Sequence, residues 1–216
     1  MPTFAPPTVA RFGPADPRLP LVVLLHGRGS NAHEFISLAP HLAAGAEYIA
    51  LDAPIGEGGG FAWFANRGIG RPVAASLAET MAWFRDWLDE YAPAPRPVIL
   101  IGFSGGGAFA GGLMLDEPQR FVGAAVLYAT VPWDAGVPTT ADRLAGFPVF
   151  LAHGKADRVI PRDLLDRTWA YLTGDSGSDV TTHLGNEGHG LSQEAVDALN
   201  TWLTTRFTTP ARPAEH

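Results

Sequence analysis

No cysteine occurs among the 216 residues. Its absence excludes a disulfide framework, a thiolate nucleophile and any cysteine-ligated metal site, and it leaves the redox compartment undetermined. Long apolar runs are missing as well: stretches such as LVVLL at residues 21–25 fall far short of the roughly 18 residues that a membrane span needs. The opening MPTFAPPTVARFG places prolines where a secretion signal requires a continuous apolar segment, so a cytoplasmic location is the expectation. Positive charge is scarce too. The 15 Lys and Arg face 22 Asp and Glu, for a net charge of -7. No basic run is interleaved with aromatics, so nucleic acid is not an expected partner. His33, His41, His153 and His183 have no acid at metal-ligand spacing and read as structural or surface residues; no metal site is expected.

What the chain does have is alternation. Short apolar runs at residues 21–25, 48–51, 98–101, 122–127, 149–152 and 180–184 are separated by segments of helical period, the pattern of an α/β fold with a mostly parallel sheet. Val73, Leu77, Met81, Phe84, Leu88 and Tyr91 recur at spacings of three and four, which predicts one buried helical face. Ser30-Asn31 followed by Glu34 marks a helix start, and Ser192 opens a last helix reaching about Phe207. The length fits one domain over residues 1–207, with 208–216 expected as a disordered tail after Pro210 and Pro213.

The segment VILIGFSGGGAFAGG, residues 98–112, surrounds one serine with six glycines directly after the most apolar run. Each glycine inside a helix costs about 1 kcal/mol relative to alanine, so Gly106, Gly107, Gly111 and Gly112 together cost ~3–4 kcal/mol. Gly102-Phe103-Ser104-Gly105-Gly106 matches G-x-S-x-G, with the preceding strand and following helix that this motif needs. A serine on so sharp a turn takes a strained backbone, which explains bare neighbours: Gly102 and Gly106 make room for the turn, while Gly107, Gly111 and Gly112 are expected to let the helix approach the sheet. A dinucleotide fingerprint at Gly105-x-Gly107-x-x-Ala110 fails, because the next strand ends in LYATVPW without an acid to hold a ribose.

A serine hydroxyl needs a base, and the base needs an acid to orient it. Asp157 in HGKADRVIP and His189 in NEGHGLS each follow a predicted strand, in the order serine, acid, histidine. Asp134 is the rival acid. Glu187 is too close in sequence to His189 to orient it readily. An oxyanion site requires two backbone donors, for which the Gly105 amide and the Arg28 amide in LLHGRGSN are the candidates. For the Arg28 side chain two readings stay open, projection into solvent or steering of anionic substrates. His26 is read as structural, holding its loop. GEGGGFAWF, residues 56–64, follows a strand and is expected to form an adjustable rim with Phe61, Trp63 and Phe64 as a pocket wall; plain core is the competing reading for these aromatics.

Taken in order, LLHGRGSN, FAWFANRG, GFSGGG, HGKADRVIP and GHGLS resemble the phospholipase/carboxylesterase family of α/β-hydrolases, which includes acyl-protein thioesterases and small bacterial carboxylesterases. The resemblance covers residues 21–207. It implies a three-layer α/β-hydrolase fold without a lid domain, with no metal or organic cofactor, acting on carboxylic or thioester bonds. Carried onto this sequence, it makes Ser104 the nucleophile, Asp157 the acid, His189 the base, and Arg28 and Gly105 the amide donors. Thioesterase members usually have leucine where this chain has Arg28 and glutamine where it has Gly105. Both roles use the backbone, so the bacterial carboxylesterase branch is the better match. The expected activity is serine-dependent hydrolysis of short- to medium-chain carboxylic esters of small molecules. A thioesterase or lysophospholipase using the same triad, and a non-catalytic ligand-binding protein on this fold, are the alternatives. The sequence does not fix the oligomeric state, a homodimer being one option.

Overall fold

The computed structural model describes residues 4–208. Strand β1 (Val9–Phe12) leads to β2 (Leu21–Leu25), a short helix α1 (Ala32–Phe35) and β3 (Glu47–Leu51). Two hairpins follow, β4 (Ile55–Glu57) with β5 (Gly60–Ala62) and β6 (Asn66–Gly68) with β7 (Arg71–Pro72), before helix α2 (Ala74–Tyr91). The chain then runs through β8 (Val98–Phe103), α3 (Gly105–Asp116), β9 (Gly123–Leu127), β10 (Pro148–Gly154), α4 (Arg162–Ala170), β11 (Asp179–Gly185) and α5 (Gln193–Thr208). Of the tail expected at 208–216, Thr208 closes α5 and the rest lies outside the described residues.

Seven strands form one sheet in the order β1-β3-β2-β8-β9-β10-β11. All neighbours are parallel except β1, which runs antiparallel to β3. Both faces are covered. Leu21, Val23 and Leu25 of β2 join the core under α2, α3 and α4, while Val22 and Leu24 join the core under α1 and α5. A strand buried on both faces has no polar side to alternate with, which is why these strands read as continuous apolar runs. The result is a three-layer α/β-hydrolase fold, and no lid domain is interposed.

The predicted face of α2 is in the core: Leu77, Met81, Phe84 and Leu88 are all buried. Helix α3 is different, because Gly106 through Leu115 are buried on every side. Its glycines divide by partner. A Cβ on Gly106 would overlap the Leu25 and His26 carbonyls, and one on Gly107 would press on Ala129, so these two do permit close approach to the sheet and its end. Gly111 instead meets Val131 and Pro132, and Gly112 meets Met81 and Leu77 of α2. The expectation that the last two glycines face the sheet is therefore corrected: they let a neighbouring helix and loop close over α3.

Candidate active site

Every parallel strand ends at the same edge, and the chemistry-bearing residues leave from those ends. Ser104 follows β8 and takes φ 52, ψ -115, a positive φ that L-residues rarely adopt. Its N–H donates to the Leu127 carbonyl at 2.9 Å, anchoring the turn to β9. A Cβ on Gly102 would overlap the backbone of Gly106, so the turn closes only with glycine there.

After β10, Asp157 enters a tight loop in which one carboxylate oxygen accepts the Val159 N–H at 2.8 Å and the Ile160 N–H at 3.2 Å. The other oxygen lies 2.8 Å from His189 Nδ1, and the Asp157 side chain is completely buried. His189 Nε2 lies 2.9 Å from Ser104 Oγ. A carboxylate only accepts, so Nδ1 carries the proton and Nε2 is left to accept from the serine hydroxyl. Asp134, the rival acid, sits on an exposed turn and pairs with Arg167 at 3.3 Å.

Two further loops set this geometry. The Ala156 N–H donates to the Glu187 carbonyl at 3.0 Å and the Lys155 N–H to the Gly185 carbonyl at 3.0 Å, stitching the acid loop to the histidine loop. The Tyr128 hydroxyl donates to the Glu187 carboxylate. Desolvation, together with that donation, raises the Tyr128 phenol well above its ordinary value. Glu187 is pushed up by desolvation, but donation from Tyr128 and from nearby amides outweighs this and holds it below the usual glutamate range. The Phe103 ring lies 5.2 Å from that of His189, and Tyr128 meets the same imidazole edge-on.

On the opposite side, the Arg28 amide faces Gly105 so closely that a Cβ added to Gly105 would lie 3.3 Å from the Arg28 nitrogen. Gly105 is the first residue of α3, and the first N–H groups of a helix have no acceptor within it. The Arg28 amide and Gly105 thus lie side by side next to the Ser104 turn. His26 is buried, as a residue holding this loop should be: Ala53 N–H donates to Nε2 at 3.1 Å, so Nδ1 bears the proton and donates to the Gly27 carbonyl at 2.7 Å. Burial pushes His26 below the ordinary imidazole range and keeps it neutral.

A cleft of about 330 Å³ opens beside Ser104 and His189. Its apolar lining comes from Phe64, Ile69, Phe103, Ala108, Val159 and Ile160, with Arg28, Asn66 and Thr130 as polar contributors. Phe64 is therefore at the cleft, but Trp63 is not. Trp63 is 1% exposed, stacks on Phe109 at 4.7 Å, and donates its indole N–H to the His26 carbonyl at 2.8 Å. Its assignment as pocket wall is corrected: the chain bends at Trp63 and Phe64 just past β5, Trp63 packs inward on Phe109, and only Phe64 reaches the cleft. The GEGGG segment is likewise a β-turn hairpin rather than a loose rim, with Gly58 and Gly59 at φ 59 and 87. The Arg28 side chain is partly exposed but does not stand free: it donates to the Glu57 carboxylate and, at 2.6 Å, to the Phe64 carbonyl.

Sequence reasoning missed Ile69, Thr130, Val159 and Ile160, which come from three separate loops; the last two lie within HGKADRVIP, where only Asp157 was singled out. It also passed over Tyr128 and Phe103, although Phe103 is the variable residue of G-x-S-x-G and was placed by that motif. Among the described residues, no group of three or more His, Asp or Glu is placed to hold a metal, and no helix is long and apolar enough to cross a membrane.

Known proteins resemble this chain in sequence and in fold. The putative hydrolase MhqD of Bacillus subtilis is 26% identical over 186 residues, 84% of this chain and 91% of that protein. The Bacillus cereus carboxylesterase superposes with a TM-score of 0.80 at 24% identity, covering 93% of this chain and 95% of that one. A carboxylesterase from Mesorhizobium loti gives a TM-score of 0.75 at 24% identity over 86% of this chain and 88% of that one. At such identities the two structures speak for the fold, while the sequence model of a hydrolase family matches residues 10–207 and so nearly the whole described chain. By that match the chain belongs to the phospholipase/carboxylesterase family.

Proposed function

We propose that this protein is a serine carboxylesterase acting on short- to medium-chain esters. The observation that carries the reading is the unbroken hydrogen-bonded series Ser104, His189, Asp157, at 2.9 and 2.8 Å, at the mouth of an apolar cleft. In the proposed reaction His189 Nε2 takes the Ser104 proton as Oγ bonds to the ester carbonyl carbon. The carbonyl π electrons move to oxygen, and the resulting oxyanion is held by the Arg28 and Gly105 N–H groups. Collapse breaks the bond to the alcohol oxygen, which takes the proton from His189. Water then repeats the sequence on the acyl-enzyme, with His189 as base, and releases the carboxylic acid. Asp157 holds the imidazole in the Nδ1–H tautomer and stabilises the transient imidazolium.

The cleft is at the small end of the range for ligand pockets, which favours short acyl or alcohol groups over long lipid chains. The carboxylesterase names of two structural neighbours agree with this choice. The test combines a series of nitrophenyl esters from acetate to palmitate with an organophosphonate label located by mass spectrometry. Hydrolysis strongest for the short to medium esters, with label only on Ser104, is the expected result. Label on another residue, or no ester turnover with bound ligand retained, sinks the reading in favour of a binding protein.

A further inference from the structure

The oxyanion loop carries a device that the triad does not explain. Residue Arg28 is flanked by two glycines, Gly27 and Gly29, residues with intrinsically wide backbone freedom. Neither glycine is free to change. A Cβ on Gly27 would lie 3.1 Å from the Phe103 ring, and Gly29 has φ 80. The loop's own backbone supplies a turn hydrogen bond from the Ser30 N–H to the Gly27 carbonyl at 3.2 Å, and an oxyanion donor, useful only when it is fixed before the charge develops, calls for more.

The hairpin of β4 and β5 supplies the missing constraint. The Gly29 N–H donates to the Phe61 carbonyl and the Phe61 N–H to the Ser30 carbonyl, both at 2.9 Å, forming an isolated antiparallel bridge one residue beyond Arg28. A Cβ on Gly60 would overlap the Gly29 carbonyl, so the two backbones touch. The Arg28 side chain completes the attachment. One guanidinium nitrogen meets Glu57 on β4, and the other donates to the Phe64 carbonyl just past β5. The forked cation thus spans both ends of the hairpin from a residue whose own amide lies against Gly105. We infer that the hairpin of residues 55–62 is a brace for the oxyanion site, and that the Arg28 side chain is a positioning residue that aims its own N–H. This rests on the assignment of that N–H as an oxyanion donor. The brace gives Arg28 a role distinct from that of an anion receptor: one nitrogen is engaged by Glu57, which answers its charge, and another by a backbone carbonyl.

The ion pair is partly exposed, with side chains 32% and 42% accessible, so it contributes little to stability and its effect should be kinetic. The test compares the intact protein with Arg28→Met, Arg28→Lys and Glu57→Gln on a neutral butyrate ester and on a hemisuccinate ester, together with binding of an alkyl trifluoromethyl ketone. In Arg28→Met kcat should fall about 10- to 100-fold on both esters with KM nearly constant, and ketone affinity should weaken by a similar factor, because a misaimed donor is lost only where charge develops. Lysine should not rescue, since a single ammonium cannot bridge two partners that diverge from a planar fork. Glu57→Gln should show a smaller loss of the same kind, and melting temperatures should stay close to that of the parent. Unchanged kcat and ketone affinity in Arg28→Met would overturn the brace. So would a rise in KM confined to the hemisuccinate, accompanied by a lower KM in Glu57→Gln, which would make Arg28 an anion receptor. If the parent protein hydrolyses esters but binds the trifluoromethyl ketone no better than the matching methyl ketone, the oxyanion assignment fails, and the brace with it.

Discussion

The loop at residues 27–30 and the loops at 154–160 and 185–190 converge on Ser104 from opposite sides, and they are fixed by different means. On the oxyanion side the holding contacts are mainly backbone to backbone, between Gly29, Ser30 and Phe61, with glycine at each point of closest approach. On the acid–base side the holding groups include titratable side chains: Asp157 with two amides and His189, and Tyr128 with Glu187. The division follows from the role proposed for each side. A donor pair that never changes protonation state can be built from peptides, whereas a base that must pick up and release a proton needs a carboxylate to answer its charge. The acid–base side should therefore be the one sensitive to isosteric substitutions and to pH, and the oxyanion side the one sensitive to added bulk.

The largest effects test the acid–base side. Ser104→Ala should fold normally and lose about five to six orders of magnitude in kcat, as expected for removal of a triad nucleophile. Asp157→Asn should keep the fold and lose roughly four orders of magnitude, because an amide that donates toward Nδ1 favours the wrong tautomer. Steady-state kinetics with a melting curve for each variant check both. A mild effect at Asp157 beside a severe one at Asp134 would move the acid to the exposed turn, against the geometry of His189.

The same contrast explains what could be read in advance. The central strands and the α2 face are local patterns, and the structure extends the predicted strands by only a few residues, as at β8 and β10. Ser104, Asp157 and His189 could be named because each closes a predicted strand and because G-x-S-x-G dictates its own backbone. Strand β1, with the sequence VARF, has too little alternation to stand out, and it exists because β3 offers it an edge. Helix α4 did leave a signal in Leu164, Leu165 and Thr168 after Pro161, though only nine residues long. The Arg28 partners were out of reach, since Glu57 and the Phe64 carbonyl lie 29 and 36 residues away and no pattern links them. Trp63 was misplaced for a related reason: an aromatic residue carries no mark of which of its neighbours will cover it.

Trp63 and Phe64 make a sharper test, because adjacent residues are assigned different fates. Trp63→Ala removes a buried ring stacked on Phe109 and leaves the His26 carbonyl without its indole donor. It should cost about 3–5 kcal/mol of stability. The chain-length profile of whatever protein remains folded should be nearly unchanged. Phe64→Ala should also cost stability, since that ring is buried too, but it should change the chain-length profile as well. Its carbonyl still serves Arg28, but the cleft loses a wall, so the ratio of octanoate to butyrate hydrolysis should shift by about 1–3 kcal/mol of discrimination per methylene affected. Urea denaturation and the ester series on the two variants decide the matter. A stable Trp63→Ala with an altered profile would return that residue to the pocket wall.

The smallest effect concerns pH and the Tyr128–Glu187 contact that backs the histidine loop. Glu187 sits below the ordinary glutamate range, so the folded state takes up its proton less readily than the unfolded chain does. A depressed carboxylate contributes stability that is fully present above its unfolded value and is lost as pH falls through its folded value. Relative to Glu187→Gln, the native protein should therefore hold a constant advantage in melting temperature from pH 8 to about pH 5. That advantage should shrink as pH drops below the ordinary glutamate value of about 4.3. Glu187 is largely solvated, so screening limits the gap to at most about 2–4 °C, the equivalent of ~1 kcal/mol in a chain of this size. Thermal melts isolate the contact better than rates do, because protonation of His189 also removes the base and would suppress activity in both proteins. Tyr128→Phe should reproduce the loss at neutral pH, since it takes away the donor that holds the carboxylate low. A gap between native protein and Glu187→Gln that persists undiminished to pH 3 would mean that this contact acts through shape rather than charge.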